Sequence, residues 1–182
     1  MLKRLLAASL ALIMLLPLLA GCSATRVDPL AYKSLAFTVT VRGKMCRTSP
    51  DGRGDAGVVT EISGVISVDP TTGASCVTFL SPDTLSGIEA RRGADGNVTV
   101  QRGNLTLAGD AFCGLLRLAD SLLPTGDVVS VTPVRNGVYT ATVRSADAET
   151  TLDFTEGDAL PSHLRMSDGY GWVELYIDEK TP

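Results

Sequence analysis

"DAFCGLLRLADSLLP", residues 110–124, is the one stretch of this sequence whose apolar residues recur at helical spacing. Asp110 stands where an N-cap residue is expected, and Pro124 stands where the run must end. The apolar positions are Phe112, Leu115, Leu116, Ala119, Leu122 and Leu123. Because they cover more than one face, the pattern predicts a single helix that is buried on both sides.

Outward from this helix, the chain alternates apolar and polar residues with a period of two, which is typical of half-buried strands. "AFTVTVRG" (36–43) places Phe37, Val39 and Val41 on one face. "GWVELYIDE" (171–179) does the same with Val173, Leu175 and Ile177. Further strands are predicted at 60–69, 75–81, 88–92, 97–102, 104–108, 128–134, 138–144, 150–156 and 162–168. Eleven segments carry the pattern, and from them we expect a sheet of about nine or ten strands.

These elements predict a mainly β fold, in which a large antiparallel half-barrel sheet wraps around one inner helix. The "RNG" at 135–137 adds a hairpin, since Asn-Gly suits a type I′ turn. If the first three strands form a meander, the turn at 69–73 places Cys76 opposite Ile66. Cys46 then lies too far from Cys76 for a disulfide. We expect three free thiols, with Cys76–Cys113 as the only plausible bridge.

The N-terminus has a basic start followed by an apolar run over residues 5–20, which is typical of a secretory signal peptide. The run closes with Leu19, Ala20, Gly21 and Cys22, which resembles the lipobox of bacterial lipoproteins. The resemblance implies cleavage before Cys22 and attachment of fatty acyl groups such as palmitate to its sulfur. The alternative is an ordinary signal peptide with a chance cysteine.

The lipobox divides the chain into a signal peptide (1–21), a lipidated tether (22–29), a β domain (30–179) and a tail (180–182). It predicts a protein held by its lipid anchor on the extracytoplasmic face of a bacterial membrane, in the cell envelope. The formal net charge is −4, and loss of the basic leader makes the mature domain more acidic still. An acidic domain is not expected to bind nucleic acid.

Motifs for catalysis and cofactor binding are absent from the sequence. His163 is the only histidine, and no nucleophile is placed to work with it. No CxxC or Cys/His cluster predicts a metal site. The acidic group of Asp153, Glu156 and Asp158 matches no calcium loop. We therefore expect a protein without cofactor or metal that is not an enzyme.

The order of elements resembles the LolA/LolB-like lipoprotein-carrier superfamily. The resemblance is carried by "VTFLSPDTLSGIEAR" before the helix, with Pro82, Leu85 and Gly87 in its turn, and by "ALPSHLRM" after it. The opening "DPLAYKSLAFTVTVRG" looks especially like LolA-like lipoproteins of Gram-positive bacteria. The family has an incomplete barrel with a concave apolar face. Only residues 29–35 precede the first strand, where carriers usually have a longer helix, and this argues against shuttle-type carriage.

Two functions remain open from the sequence. The resemblance implies a lipoprotein that binds acyl chains of lipids or lipoproteins in its concave cavity. The alternative is an envelope interaction protein that docks a protein partner, for example in sporulation or germination. The candidate residues of the cavity or inner helix are Phe112, Leu115, Leu116, Leu122, Val173, Leu175 and Ile177. An empty apolar cavity favours lipid, whereas a cavity filled by the helix favours a partner.

Overall fold

The computed structural model describes residues 28–47 and 57–181, which form one open antiparallel sheet around an inner helix. A short 3-10 helix, Ala31–Ser34, precedes the first strand. The strands are β1 (Phe37–Arg47), β2 (Val58–Asp69), β3 (Ala74–Ser81), β4 (Ile88–Arg92), β5 (Val98–Arg102), β6 (Leu105–Ala108), β7 (Asp127–Val131), β8 (Val138–Arg144), β9 (Ala148–Thr155), β10 (His163–Asp168) and β11 (Gly171–Thr181).

The sheet order is β6-β5-β4-β3-β2-β1-β11-β10-β9-β8-β7, so the first and last strands meet at its centre. β6 and β7 are the two edges of the sheet, and the described strands do not close into a barrel. The predicted half-barrel with one inner helix is therefore confirmed, although the structure has eleven strands rather than nine or ten. No helix in the described part of the chain has the length and apolarity needed to cross a bilayer.

The alternation of apolar residues predicted the buried face of the sheet. Val39 and Val41 of β1 are buried, while Thr38 and Arg42 beside them are exposed. The strand β7 ends at Val131, before the predicted limit of 134. Pro133 explains the difference, because it has no N–H to donate to the ladder.

The inner helix comprises a 3-10 helix, Asp110–Leu116, continued by α1, Arg117–Leu122. The predicted N-cap is wrong: Gly109 precedes the helix, and Asp110 lies in its first turn without a capping hydrogen bond. Gly114 sits within the 3-10 segment. Glycine is a poor α-helix former, which is consistent with the tighter and shorter winding there.

Two predicted details of register and boundary also differ. Cys76 pairs with Ser67 rather than Ile66, because Asp69 pairs with Ala74 around a four-residue turn. β11 continues to Thr181, so the tail predicted at 180–182 begins inside the strand. The Asn-Gly hairpin is as predicted: Asn136 and Gly137 have φ values of 54° and 73°, as a type I′ turn requires.

Candidate functional site

The inner helix is fastened to both halves of the sheet by ion pairs. Arg92 of β4 donates from Nη1 to Asp120 Oδ1 over 2.7 Å, and Arg117 donates from Nη2 to Asp168 Oδ1 of β10, also over 2.7 Å. The second pair is largely buried, since its side chains are 12% and 16% exposed. The helix is therefore fixed in the concavity and lies between two distant parts of the sheet.

The N-terminal 3-10 helix holds the other end of the inner helix. Tyr32 donates its buried hydroxyl to Leu122 O at 2.7 Å, and Lys33 Nζ donates to Pro124 O at 2.7 Å. The Tyr32 ring also lies 6.0 Å from that of Phe154, between ring centroids. Burial raises the pKa of Tyr32 well above its ordinary value.

The middle of the concavity is filled. Leu116 and Leu122 of the inner helix are 0% and 1% exposed, and Val173, Leu175 and Ile177 of β11 belong to the same core. These five candidate residues therefore pack against one another and their neighbours, and none of them lines the groove described next. The helix and sheet bury one another where they are closest.

One side of the inner helix leaves a groove of about 890 Å³, which we call the inner groove. Its apolar lining includes Met45, Phe112, Leu115, Leu123 and Met166. Its polar lining includes Arg47, Arg117, Asp120, Thr150, Asp168 and Tyr170. The volume falls within the ~300–1,000 Å³ typical of ligand pockets, and the mixture of apolar walls and a few polar groups is also typical.

The register of the sheet explains the floor of the inner groove. Met45, Met166 and Thr150 lie in one row on β1, β10 and β9, with the fully buried Val173 of β11 between the two methionines. The next inward row holds Arg47, Gly171, Asp168 and Ala148 on the same strands. Residues in directly opposed positions share a face, so both rows point toward the helix. The groove lies at the end of the sheet where β1 and β10 finish.

Two of the residues nominated from the sequence, Phe112 and Leu115, line the inner groove. Both are partly buried and pack against the core from the 3-10 segment. The nomination missed Met45 and Met166. Met166 follows Leu164 at strand spacing in β10, so the signal was present. Arg117 was missed because a helical pattern does not reveal a partner 51 residues away.

The inner groove has one polar corner, formed around Arg117. Its Nε is buried and finds no acceptor among the described residues. Asp168 Oδ1, which accepts from Arg117, also accepts from the backbone N–H of Tyr170 at 2.8 Å. Arg47 is exposed, and no described carboxylate forms an ion pair with it. The corner therefore contains one buried N–H without an acceptor and one arginine without an ion pair among the described residues.

A second cavity of about 910 Å³ lies at the opposite end of the strands. Most of its lining is polar or belongs to turns, including Asp69, Arg91, Asp95, Asn97 and Asp110. Hydrogen bonds from Thr72 and Thr71 lower the pKa of Asp69, and those from Asn97 lower the pKa of Asp95. Phe37, Val68 and Val98 also line this cavity, so it offers an apolar surface as well.

His163 lies on the face of β10 opposite to the inner groove, since its neighbour Leu164 points into the core. Its Nδ1 is 2.8 Å from Asp153 Oδ2 of β9, and its Nε2 is 3.2 Å from Glu174 Oε1 of β11. The ring also packs against Tyr176, at 4.6 Å between centroids. These contacts bridge three strands, which is a structural role.

The three thiols Cys46, Cys76 and Cys113 are unpaired in the described part of the chain. Cys46 is buried, Cys76 is half-buried and Cys113 is exposed. Cys113 lines the inner groove, whereas Cys76 lines the second cavity. Burial raises the pKa of Cys76. The predicted lipidation site, Cys22, and the lipobox residues Leu19, Ala20 and Gly21 lie outside the described residues.

No protein-family model matches the chain, and no curated protein is similar to it in sequence. Solved structures are similar in fold. An uncharacterized conserved protein from Thermus thermophilus is 17% identical over 88% of this chain and 87% of its own length, with a TM-score of 0.51.

A LolA superfamily protein from Nitrosomonas europaea is 11% identical over 86% of this chain and 90% of its own, with a TM-score of 0.48. A putative outer membrane lipoprotein-sorting protein domain from Vibrio parahaemolyticus is 6% identical over 80% and 84%, with a TM-score of 0.39. These similarities concern the fold alone, and membership of the Gram-positive subgroup stays a prediction. This chain shares its fold with the Thermus thermophilus protein, and its place among LolA-like proteins stays a prediction from the sequence resemblance.

Proposed function

We propose that this protein is a membrane-anchored lipoprotein of the bacterial cell envelope that binds acyl chains of lipids or lipoproteins in the inner groove. The observation that carries the proposal is the groove itself, which the helix leaves open beside a filled core. Met45, Phe112, Leu115 and Met166 supply apolar walls. Methionine side chains are flexible and adapt to chains of differing shape.

The anchor part of the proposal rests on the lipobox at 19–22. Each buried methylene contributes ~0.8 kcal/mol, so two acyl chains on Cys22 hold a domain firmly at a membrane. The tether then carries the domain on the extracytoplasmic face. In this role the protein acts by binding and has no need of catalytic groups.

Filling the inner groove tests the binding directly. The position of Gly114 lines the groove, and a Cβ built there meets no atom within 4 Å. We therefore expect Gly114→Phe to fold normally and to lose binding of a fluorescent fatty acid. Ala31→Phe is the control, since Ala31 is exposed and does not line the groove. Equal binding by both variants and the wild type would contradict the proposed site.

The source of the ligand and the anchor are tested in cells. Native mass spectrometry of the mature chain should find copurified lipid in the wild type and less in Gly114→Phe. Cys22→Ser should leave an unprocessed precursor or release the protein from membranes. A variant that is still acylated and processed like the wild type shows that the anchor assignment is wrong.

The alternative function, docking of a protein partner, is supported by the filled middle of the concavity and by the two edges of the sheet. The edge strand β7 exposes Val128, Val129 and Val131, and β6 at the other edge exposes Leu105 and Leu107. Unpaired edge strands with apolar side chains can add a strand from another chain. If Gly114→Phe changes nothing while Val129→Lys abolishes copurification of an envelope protein, the docking function is the better account.

A further inference from the structure

The polar corner of the inner groove contains a donor without an acceptor. Arg117 uses Nη2 to bind Asp168 at 2.7 Å, but its buried Nε has no partner among the described groups. Native proteins rarely leave a buried N–H unsatisfied, so such a group needs an explanation. Arg117 lines the groove, and its Nε has almost no accessible surface, so an acceptor on a ligand reaches this atom once the side chain turns toward the groove.

A second arginine lies near this corner. Arg47 and Asp168 stand in one row of the sheet, separated only by Gly171. Two strand spacings put their backbones ~10 Å apart, a gap that long side chains can cross. Position 171 requires glycine, because a Cβ built there would lie 2.0 Å from Cys46 O. The position between Arg47 and Asp168 in this row therefore carries no side chain.

The ion pairs around the groove leave one arginine without a partner among the described residues. Arg117 is matched by Asp168, and Asp120 is matched by Arg92 across the helix. Arg47 has no carboxylate partner among the described residues. The charged side chains of the lining are two arginines and two aspartates, and Arg47 is the one among them that no described carboxylate pairs with. A negatively charged group complements both features, and a neutral hydroxyl complements only the donor.

We propose that the inner groove selects acyl ligands with an anionic head group, a carboxylate or a phosphate, which is held between Arg47 and Nε of Arg117. The acyl chain then runs along Phe112, Leu115 and Met166. This inference rests on the proposed function, because it assigns the head-group chemistry of the same groove. It makes no claim about how the ligand reaches the groove.

Three ligands with the same twelve-carbon chain test the selection: laurate, dodecyl phosphate and dodecanol. The protein is the mature chain carrying Cys22→Ser, and binding is measured by calorimetry below the critical micelle concentration of each ligand. A charge-assisted hydrogen bond contributes enough to favour the two anions over the alcohol by about tenfold or more. The two anions separate a carboxylate source from a phosphate source.

Conservative variants show which side chains hold the anionic head group. Arg117→Lys keeps a cation for Asp168 but lacks Nε–H, so it should keep its thermal midpoint and lose most of the preference for anions. Arg47→Gln should reduce anion binding about tenfold and leave dodecanol binding unchanged. Arg42→Gln is the matched control, because Arg42 is an exposed arginine of the same strand that does not line the groove.

The outcomes distinguish failure of the head-group assignment from failure of the proposed function. If all three ligands bind equally and Gly114→Phe abolishes their binding, the groove holds acyl chains and the head-group assignment is overturned. If no ligand binds the wild type, both the proposed function and this inference fail. If the preference for anions is present but survives in Arg47→Gln and Arg117→Lys alike, the anion is held elsewhere and the corner is not its site.

Discussion

Tyr32 connects the N-terminal segment, the inner helix and the sheet through one side chain. Its hydroxyl donates to Leu122 O, and its ring contacts Phe37 and Phe154. It is only 2% exposed, although it lies in a four-residue 3-10 helix at the start of the described chain. A short helix is not stable alone, so Tyr32 must hold it in place through tertiary contacts.

The buried hydroxyl of Tyr32 predicts a loss of stability at alkaline pH. Burial raises the pKa of Tyr32 in the folded state, whereas in the unfolded chain it titrates near ~10. The unfolded state therefore releases this proton first, and stability falls as pH rises above about 10. We expect the free energy of unfolding, measured by urea denaturation from pH 8 to 11, to fall less steeply for Tyr32→Phe than for the wild type.

Two further results define this prediction. At pH 7 Tyr32→Phe should cost about 1 kcal/mol, because it removes one buried hydrogen bond to Leu122 O. Tyr170→Phe is the control, since Tyr170 is 74% exposed. Burial also raises the pKa of Tyr139, so this residue accounts for any alkaline sensitivity that persists in Tyr32→Phe. Identical alkaline curves for the wild type and Tyr32→Phe would show that this hydroxyl is not buried.

At the scale of elements, the inner helix has two different sides. One side carries Leu116, Leu118 and Leu122, which are buried in the core. The other carries Phe112 and Leu115 toward the inner groove. The sequence pattern grouped all of these residues together, because it shows that a helix is apolar on several faces but not which faces meet the sheet.

Charge placed on the two sides should therefore have different consequences. Leu116→Asp puts an unpaired carboxylate at a site that is 0% exposed, which costs several kcal/mol. For a chain of this size that lowers the thermal midpoint by ~10 °C or more. Leu115→Asp lies on the groove side and should lower the midpoint much less, while weakening acyl binding. Circular dichroism melts of the two variants make the comparison, and an unchanged midpoint in Leu116→Asp would show that the helix is a removable lid.

Local patterns were sufficient for most of the fold. Alternation in "AFTVTVRG" and "GWVELYIDE" predicted the inward faces of β1 and β11, and the Asn-Gly pair predicted the hairpin before β8. The inner groove could not be predicted in the same way. Its floor depends on which residues of β1, β9, β10 and β11 stand opposite one another, and the pairing of Arg117 with Asp168 spans 51 residues. Such register is set by the whole sheet.

At the scale of the whole molecule, the open sheet separates its two ends. The inner groove lies where β1 finishes at Arg47, and the second cavity lies where β1 begins at Phe37. The inner helix fills the space between them. The two cavities are therefore separate, and each is lined by one of the thiols, Cys113 in the inner groove and Cys76 in the second cavity.

The sheet keeps the three described thiols apart. Cys46 pairs with Val59 and Cys76 with Ser67, eight residues further along β2. At ~3.3 Å per residue, the two cysteines are about 26 Å apart, far beyond the ~7 Å Cα separation that a disulfide allows. Cys76 stands opposite Arg91, whereas the adjacent Arg92 faces the helix, so the sheet also lies between Cys76 and Cys113. The bridge that the sequence left open, Cys76–Cys113, is therefore not expected.

Because the thiols are far apart, their rates of alkylation can report whether a ligand occupies the inner groove. With an alkylating reagent such as N-ethylmaleimide, exposed Cys113 should react first and buried Cys46 last, and a raised pKa slows Cys76. Cys113 lines the inner groove, so a bound acyl ligand should slow its alkylation without affecting Cys76. Peptide mass spectrometry at timed intervals measures each site, with Gly114→Phe as the variant in which added ligand gives no protection. Equal protection of Cys76 and Cys113 would place the ligand outside the inner groove, and a Cys46–Cys76 crosslink in the non-reduced protein would overturn the register of β1, β2 and β3.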